Sequence, residues 1–576
     1  MLHKFRIKGL IVGISLILSL PLSAQDLQTA LKLTLSEQFE TAGKTFQTLI
    51  TNEPNKGDNY YYYGEYWLKK FFVDSMTVSL KEVIVPALQN YNKGIEKDPM
   101  NPLNYVGVGR VNILQGKYAE AKTNFDKAIS LLPIKNFKKS DIPLTNQALT
   151  YAKMAEASLK LPNKSLTELI ALIDKAVERS NTVPEVYIIK GDIYLEFNDG
   201  SSAIVAYNKA NELDPKSCIA KVKIGQLWVR GKNYTDAILY YNEAIGIDAT
   251  FAPAYRERAE LYGLAGKWDN GIKDYQKFLE LSEKNTYAKV RYASFLFMAK
   301  KHSEALQIIN EVMAIDPTYN LLCRLAAYSY YETDKCSDAL KSIETFFTNV
   351  KKNDGKIIAS DYTYYGDILV KLGDDSLAVE KYKLGYQLEP SNCDILTKIA
   401  KTSNKLKKYD DVIESYLKKA TNNCATLTDY YDLGKAYYSN GGQYMEKKDT
   451  INALKQWNKA DSALTEVLNK KADFINAVYY RAMSRASIDY NSEKGLALSD
   501  YENLLTLSLA DSVKYKSFVN MSYEYMRYFY YKQYNMNKNC EDAKKSILYC
   551  EKILASDPKN ENSLLIKKSL AGKCPK

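Results

Sequence analysis

The sequence predicts an all-α solenoid built from helix-turn-helix repeats, and three observations point to it. Small residues recur every 34 positions, as Gly191, Gly225, Ala259, Ala293 and Ala327 in one series and Ala203, Ala237, Gly271, Ala305 and Ala339 in a second. The segments YNKGIEKDP (91–99), YNKANELDP (207–215) and YNEAIGIDA (241–249) repeat one amphipathic helix ending and its stop. The composition, 46% hydrophobic and 26% charged with only 26 glycines and 15 prolines in 576 residues, belongs to a folded chain. A single core does not grow to that length, so several domains or one extended array must share it.

The elements follow in order. Residues 1–24 read as a signal peptide: Lys4, Arg6 and Lys8 precede the apolar run GLIVGISLILSL, and Pro21-Leu22-Ser23-Ala24 ends in a small residue suited to cleavage. The run is short of the about 20 apolar residues a bilayer span needs, and the first cysteine is Cys218. The expected mature chain begins at Gln25 and is exported, periplasmic and soluble. Its formal charge falls from +11 to +8 with the loss of those three cations, a mild surplus spread among alternating acids, as on solvated helix faces.

Residues 25–133 hold N-terminal repeats with an insertion near 70–84, in FVDSMTVSLKEVI, ahead of Ala87 and Tyr91. The aromatic cluster NYYYYGEYWLKKFF at 59–72 lies here. Tyr60, Tyr63, Gly64 and Trp67 take packing positions of a first helix, and Tyr61 and Glu65 are expected on the inner face. Residues 134–183 read as a degenerate pair, with helices over 144–160 and 165–180. Five regular repeats fill 184–353, and two more fill 354–426, starting near Ala359 and Cys393. Residues 427–576 form irregular C-terminal repeats and a cap: a unit opens with Tyr430, Leu433, Gly434 and Tyr437, then departs through GGQYMEKKD into a long helix. The register is lost in 134–183 and 440–475, and the units number 13 or 14.

In the unit from Pro184 the recurring positions hold Tyr187, Lys190, Gly191, Tyr194, Ala203, Tyr207 and Pro215; from Pro102 they hold Tyr105, Val108, Gly109, Asn112, Ala121, Phe125 and Pro133. This resembles the tetratricopeptide repeat pattern W-x2-L-G-x2-Y, A-x3-F and proline, with a charged Lys190 where an aliphatic is expected. The physical basis is local. Two antiparallel helices approach closely where Gly or Ala sits between them, aromatics fill the gaps between units, and proline stops the second helix. The resemblance implies a right-handed superhelix whose first helices line a concave groove.

No catalytic constellation stands in the sequence. His3 falls in the leader and His302 sits at a turn, in AKKHSEAL, so a histidine-based nucleophilic site has no second partner. The acids sit on outer faces or in Asp-Pro turns such as Asp214-Pro215, Asp316-Pro317 and Asp557-Pro558, and no GxxxxGK[ST] phosphate loop occurs. The eight cysteines form no C-x-x-C or cysteine–histidine zinc spacing. The expectation is a non-enzyme without cofactor or metal, and without nucleic acid as a partner.

The resemblance implies a scaffold that binds a protein or peptide segment in its groove, with an envelope assembly or secretion accessory as the narrower version. The alternative is a cell-wall or glycan-binding protein that uses groove tyrosines for stacking. Positions offset from the packing slots place Arg324, Tyr328 and Tyr331, then Lys371, then Lys401, Asn404 and Lys405, then Tyr431, Lys435 and Tyr438 along the groove. That aromatic and basic stripe suits an acidic segment. Some members of the family clamp a terminal carboxylate with inward Lys and Asn; Thr397 stands where another cation would be needed. The register also sets Cys393 at the start of a first helix and Cys424 just past the paired second helix, so the two either form a disulfide or remain free, half-buried thiols.

Overall fold

A computed structural model describes residues 26–75, 78–317, 319–352 and 356–574. The expected signal peptide lies outside the described residues. Among those described there are 29 α-helices, one short 3-10 turn (Phe137–Lys139) and no strand. The helices are α1 Leu27–Leu35, α2 Phe39–Asn52, α3 Gly57–Val73, α4 Leu80–Lys97, α5 Pro102–Leu114, α6 Tyr118–Ser130, α7 Leu144–Ser158, α8 Leu166–Arg179, α9 Pro184–Glu196 and α10 Gly200–Leu213. Then come α11 Cys218–Arg230, α12 Tyr234–Ile247, α13 Ala252–Leu264, α14 Trp268–Leu281, α15 Thr286–Met298, α16 His302–Met313, α17 Asn320–Glu332, α18 Cys336–Lys352, α19 Ala359–Leu372 and α20 Asp375–Leu388. The last are α21 Cys393–Lys405, α22 Tyr409–Thr421, α23 Leu427–Glu446, α24 Thr450–Lys470, α25 Ile475–Ile488, α26 Leu498–Leu509, α27 Lys516–Asn537, α28 Cys540–Ser556 and α29 Glu561–Leu570. The chain divides into two compact units, 1–325 and 326–576, the division falling inside α17.

Each regular unit is one antiparallel pair, and side-chain volume sets its spacing. A methyl group at Gly191 would lie 2.3 Å from the ring of Tyr207, at Gly225 2.4 Å from Tyr241, and at Gly366 2.3 Å from Tyr382. These rings are almost wholly buried, so the missing Cβ is what lets the helices meet. The turn inside each pair carries a left-handed residue at the same 34-residue interval: Asn198, Lys232, Gly266, Lys300 and Asp334. Only one of the five is glycine; each of the others accepts a strain of roughly 1 kcal/mol that the packing on both sides outweighs. Asp or Asn then caps the second helix in several units, as Asp199 accepts from the Ser202 amide (2.9 Å) and Asp374 from the Leu377 amide (3.0 Å).

The irregular stretches differ in helix length. The insertion lengthens α3 and α4 to 17 and 18 residues. GGQYME continues α23 as helix, so α23 and α24 reach 20 and 21 residues and shift the count for everything downstream. Tyr60, Tyr63 and Tyr66 are buried as packing residues. Tyr61, expected on the inner face, is also core at 1% exposure: it shares a cluster with Leu149, Ala152 and Val186, because α3, α7 and α9 close on one another along their inner edges. Glu65 is not open to a partner either, since the Tyr91 hydroxyl (2.7 Å) and the Arg110 guanidinium (2.5 Å) both donate to it.

The structure joins Cys393 to Cys424, with Cα atoms 6.5 Å apart, and also Cys540 to Cys574, at 5.5 Å. The second bridge ties the start of α28 to the tail beyond α29 and had no counterpart in the sequence reading. Cys218, Cys323, Cys336 and Cys550 remain unbridged.

Candidate partner-binding surface

The inner positions of the first helices repeat one polar device. The acid that follows the small residue accepts a tyrosine hydroxyl from its own second helix and a cation from the next first helix. Asp192 takes Tyr207 at 2.6 Å and Lys223 at 2.7 Å; Asp367 takes Tyr382 at 2.7 Å and Lys398 at 2.6 Å. Glu260 accepts from Tyr275 and lies 3.5 Å from Arg291. The acid is thereby spent on register, and burial together with the adjacent carboxylate holds the tyrosine hydroxyls far above their ordinary range.

In the N-terminal unit this pairing extends across neighbouring helices. Arg110 on α5 bonds Glu65 on α3 and Glu156 on α7; Lys153 on α7 bonds Glu156 and, at 2.6 Å, Glu185 on α9. Burial works against the charges of Arg110 and Glu156, yet Glu156 and Glu65 hold the Arg110 guanidinium protonated, and Arg110 with Lys153 holds Glu156 below the usual carboxylate range. Between α9, α11 and α13 a hollow of about 480 Å³ is lined by Asp192, Glu196, Arg230, Glu257, Glu260 and Leu264. This inner face is largely satisfied by its own side chains.

The predicted stripe separates into three groups. Arg324, on α17 at the end of the N-terminal unit, is half-buried. Tyr328 does not face an open groove: it is 5% exposed, its hydroxyl donates to Asp361 (2.7 Å), and its ring stacks on Tyr364 at 3.8 Å. The reason is that Asp361 folds back to cap the start of α19, accepting the Ile358 amide at 2.8 Å, and offers its second oxygen to Tyr328. Tyr331 is half-buried against the edge of Tyr364, with the Lys371 ammonium 4.6 Å above its ring, and Lys371 pairs with Asp334.

The third group converges. On α21, Lys401, Asn404 and Lys405 are exposed, and Lys405 reaches Asp375 only at 3.4 Å. On α23, Tyr431 and Tyr438 both set their rings edge-on to Tyr480 of α25, at 6.0 and 5.8 Å, and Lys435 lies 5.6 Å over the same ring. Tyr431 also packs on Phe474 at 4.9 Å, and Tyr479 stacks on Phe518 at 4.8 Å. Lys401 and Lys435 make no ion pair among the described residues. Beside them, burial raises the Asp432 carboxyl, against the pull of Lys435. The sequence reading missed Tyr479 and Tyr480. Counting from the small residue of each first helix finds Tyr479, with Tyr480 beside it: Arg324 and Tyr431 stand three before Ala327 and Gly434, and Tyr479 stands three before Ala482.

Among the described residues no cluster of His, Cys, Asp and Glu is arranged to hold a metal, and no helix is long and apolar enough to cross a membrane. His302 is the first residue of α16, half-buried with its ring edge-on to Phe297 at 5.3 Å.

Comparison with known proteins agrees with the repeat geometry. A family model described as tetratricopeptide repeat matches residues 170–251. The Hsp70-Hsp90 organizing protein of Triticum aestivum is 26% identical over 231 residues, 40% of this chain; the chain spans 38% of the length of that relative. Among solved structures, yeast Tom70 is 14% identical with a TM-score of 0.32, covering 73% of this chain and 95% of its own. The C-terminal part of a TPR repeat-containing protein from Cytophaga hutchinsonii is 30% identical, covering 48% of this chain and 98% of its own, with a TM-score of 0.36. A relative matched along nearly its whole length, together with the helix pairs and their 34-residue register, shows that this chain belongs to the tetratricopeptide repeat family.

Proposed function

We propose that the protein is an exported scaffold, without catalytic activity of its own, that holds a segment of a partner protein against the α21–α23–α25 face of its C-terminal unit. One contrast supports this site. The inner cations Arg110, Lys153 and Lys223 of the N-terminal unit bond carboxylates of that same unit, whereas Lys401 and Lys435 make no ion pair among the described residues, and the nearby Asp432 carboxyl is raised by burial. Lysines with no ion pair at the rim steer an acidic segment and set its register, and Tyr431, Tyr438 and Tyr480 supply the contact area. The resemblance to the organizing protein favours a protein partner over a glycan, and the two disulfides accord with an oxidising compartment outside the cytoplasm. The expected signal peptide at 1–24 is what supports an envelope assembly or secretion role.

The test compares wild type with Lys401→Glu/Lys405→Glu/Lys435→Glu and with Tyr431→Ala/Tyr480→Ala in pull-downs from the envelope fraction, beside sedimentation with purified cell wall. Both variants lose the captured protein, the charge variant more completely at low salt, where screening is weakest. Equal capture by all three removes this surface, and cosedimentation of wild type with bare wall polymer favours the glycan reading. Amino-terminal sequencing of the mature protein settles export: Gln25 is expected first, and an intact Met1 in the membrane pellet contradicts it.

A further inference from the structure

The first helix pair makes polar contacts far along its own unit. Glu37, left-handed (φ 61°) between α1 and α2 and 2% exposed, accepts from Arg256 of α13 with both oxygens, at 2.6 and 2.7 Å, across 219 residues. Arg256 lies 5.4 Å over the Phe278 ring and also bonds Glu257. At the start of α2, Gln38 gives no side-chain cap; Glu283, from the turn between α14 and α15, accepts the amides of Glu40 (2.7 Å) and Thr41 (3.0 Å) instead. Lys32 of α1 pairs with Asp248, just past α12, at 2.9 Å.

These contacts differ in kind from those between successive repeats. The apolar cluster of α1–α3, built on Phe39, Phe46, Leu49, Tyr63 and Tyr66, contains no residue of α13–α15. In place of shared core there is a cavity of about 630 Å³ between the two, lined by Phe39, Tyr63, Trp67, Lys70, Asn285 and Tyr287. The one buried ion pair, Glu37–Arg256, gives back in solvation on opening much of what it gains in attraction on closing, and the Lys32–Asp248 pair is exposed on its lysine side, so a contact made of these around a hollow has little net bias. Between the contact points the inner face is filled by the Glu65–Arg110–Glu156–Lys153 chain.

We propose that α1 and α2 form a releasable clasp that closes one turn of the N-terminal unit on itself, with Glu37 and Glu283 as its two locks. Closed, the turn is occupied by its own charged side chains; released, the inner faces of α3 to α13 become accessible to solvent. The second lock works by supplying in trans the cap that α2 lacks.

Hydrogen exchange read by mass spectrometry on the full mature chain, with small-angle scattering alongside, tests the clasp without any partner. In Glu37→Gln/Glu283→Gln the amides of Glu40 and Thr41 exchange at least about tenfold faster than in wild type and the radius of gyration rises, while α19–α29 are unchanged. Raising the salt on wild type moves both readouts the same way but less far, because screening reaches the exposed Lys32–Asp248 pair more than the buried Glu37. Because the double variant removes a buried charge, Lys32→Asp provides a milder arm: it speeds exchange of α1–α2, and Asp248→Lys added to it restores wild-type protection. Protection and dimensions that stay the same in the variants and across salt would overturn the clasp, as would a Lys32→Asp effect that Asp248→Lys fails to repair.

Discussion

Gly191→Ala tests whether the glycines of the repeat are there to make room for a ring. The new methyl would lie 2.3 Å from Cε1 of Tyr207, whose ring is fully buried and whose hydroxyl is held by Asp192 at 2.6 Å, so the ring cannot swing away without breaking that bond. Overpacking of this kind costs about 1–3 kcal/mol, and replacing a helical glycine returns about 0.5–1 kcal/mol, leaving a net loss of about 1–2 kcal/mol. The chain itself indicates the remedy. Where the two small positions are both alanine, Ala293 with Ala305 and Ala327 with Ala339, the residue in the ring position is Ile309 or Ile343, each wholly buried. Where the methyl sits at Ala259, the second position is Gly271 and Tyr275 is kept. Tyr207→Ile alone costs about 2 kcal/mol, through lost ring contacts and the lost hydroxyl bond to Asp192, which keeps Lys223. The double variant should cost about 1–2 kcal/mol less than the sum, because the methyl then fills space the ring has left. Amide exchange of α9 and α10 in the full-length chain is the assay, since a repeat array opens locally and a global midpoint would average the effect away. A neutral Gly191→Ala, or strictly additive costs in the double variant, would refute the volume reasoning.

Two other outcomes are expected. Under denaturing, non-reducing conditions four thiols titrate, those of Cys218, Cys323, Cys336 and Cys550, rising to eight after reduction; reduction removes roughly 3–4 kcal/mol at each bridge, for separations of 31 and 34 residues, and eight thiols without reductant contradict the pairing. Burial raises the Asp432 carboxyl above its value in the unfolded chain, so its contribution favours the fold below the unfolded pKa and is lost as pH rises through the folded one. Asp432→Asn therefore protects α23 at neutral pH and gives no gain in acid; equal effects at both pH values would disprove the assignment.

Much of the architecture is set by the sequence within a window of one repeat. Small residue, aromatic and stop recur at fixed separation, and both the pairing of two helices and the stacking of a pair on its neighbour depend only on groups fewer than 40 residues apart, so the all-helical solenoid and the start of regular first helices such as Pro184, Ala359 and Cys393 were legible. The same local logic located the Tyr431, Lys435 and Tyr438 group. It failed where element length changed: α23 and α24 grew to 20 and 21 residues, and Tyr479 and Tyr480 were lost from the count. It failed also where a partner came from outside the window. Tyr61 and Tyr328 occupy positions that read as groove-facing, but whether such a side chain meets solvent depends on how sharply successive pairs turn and on what the next helix start presents, here α7 and α9 for one and the cap of Asp361 for the other. Curvature is the sum of small rotations at every interface, and no single repeat encodes it. Only the tertiary structure could bring Glu37 to Arg256 or Glu283 to the start of α2, because contacts across 219 and 243 residues exist only once those rotations have accumulated through a turn.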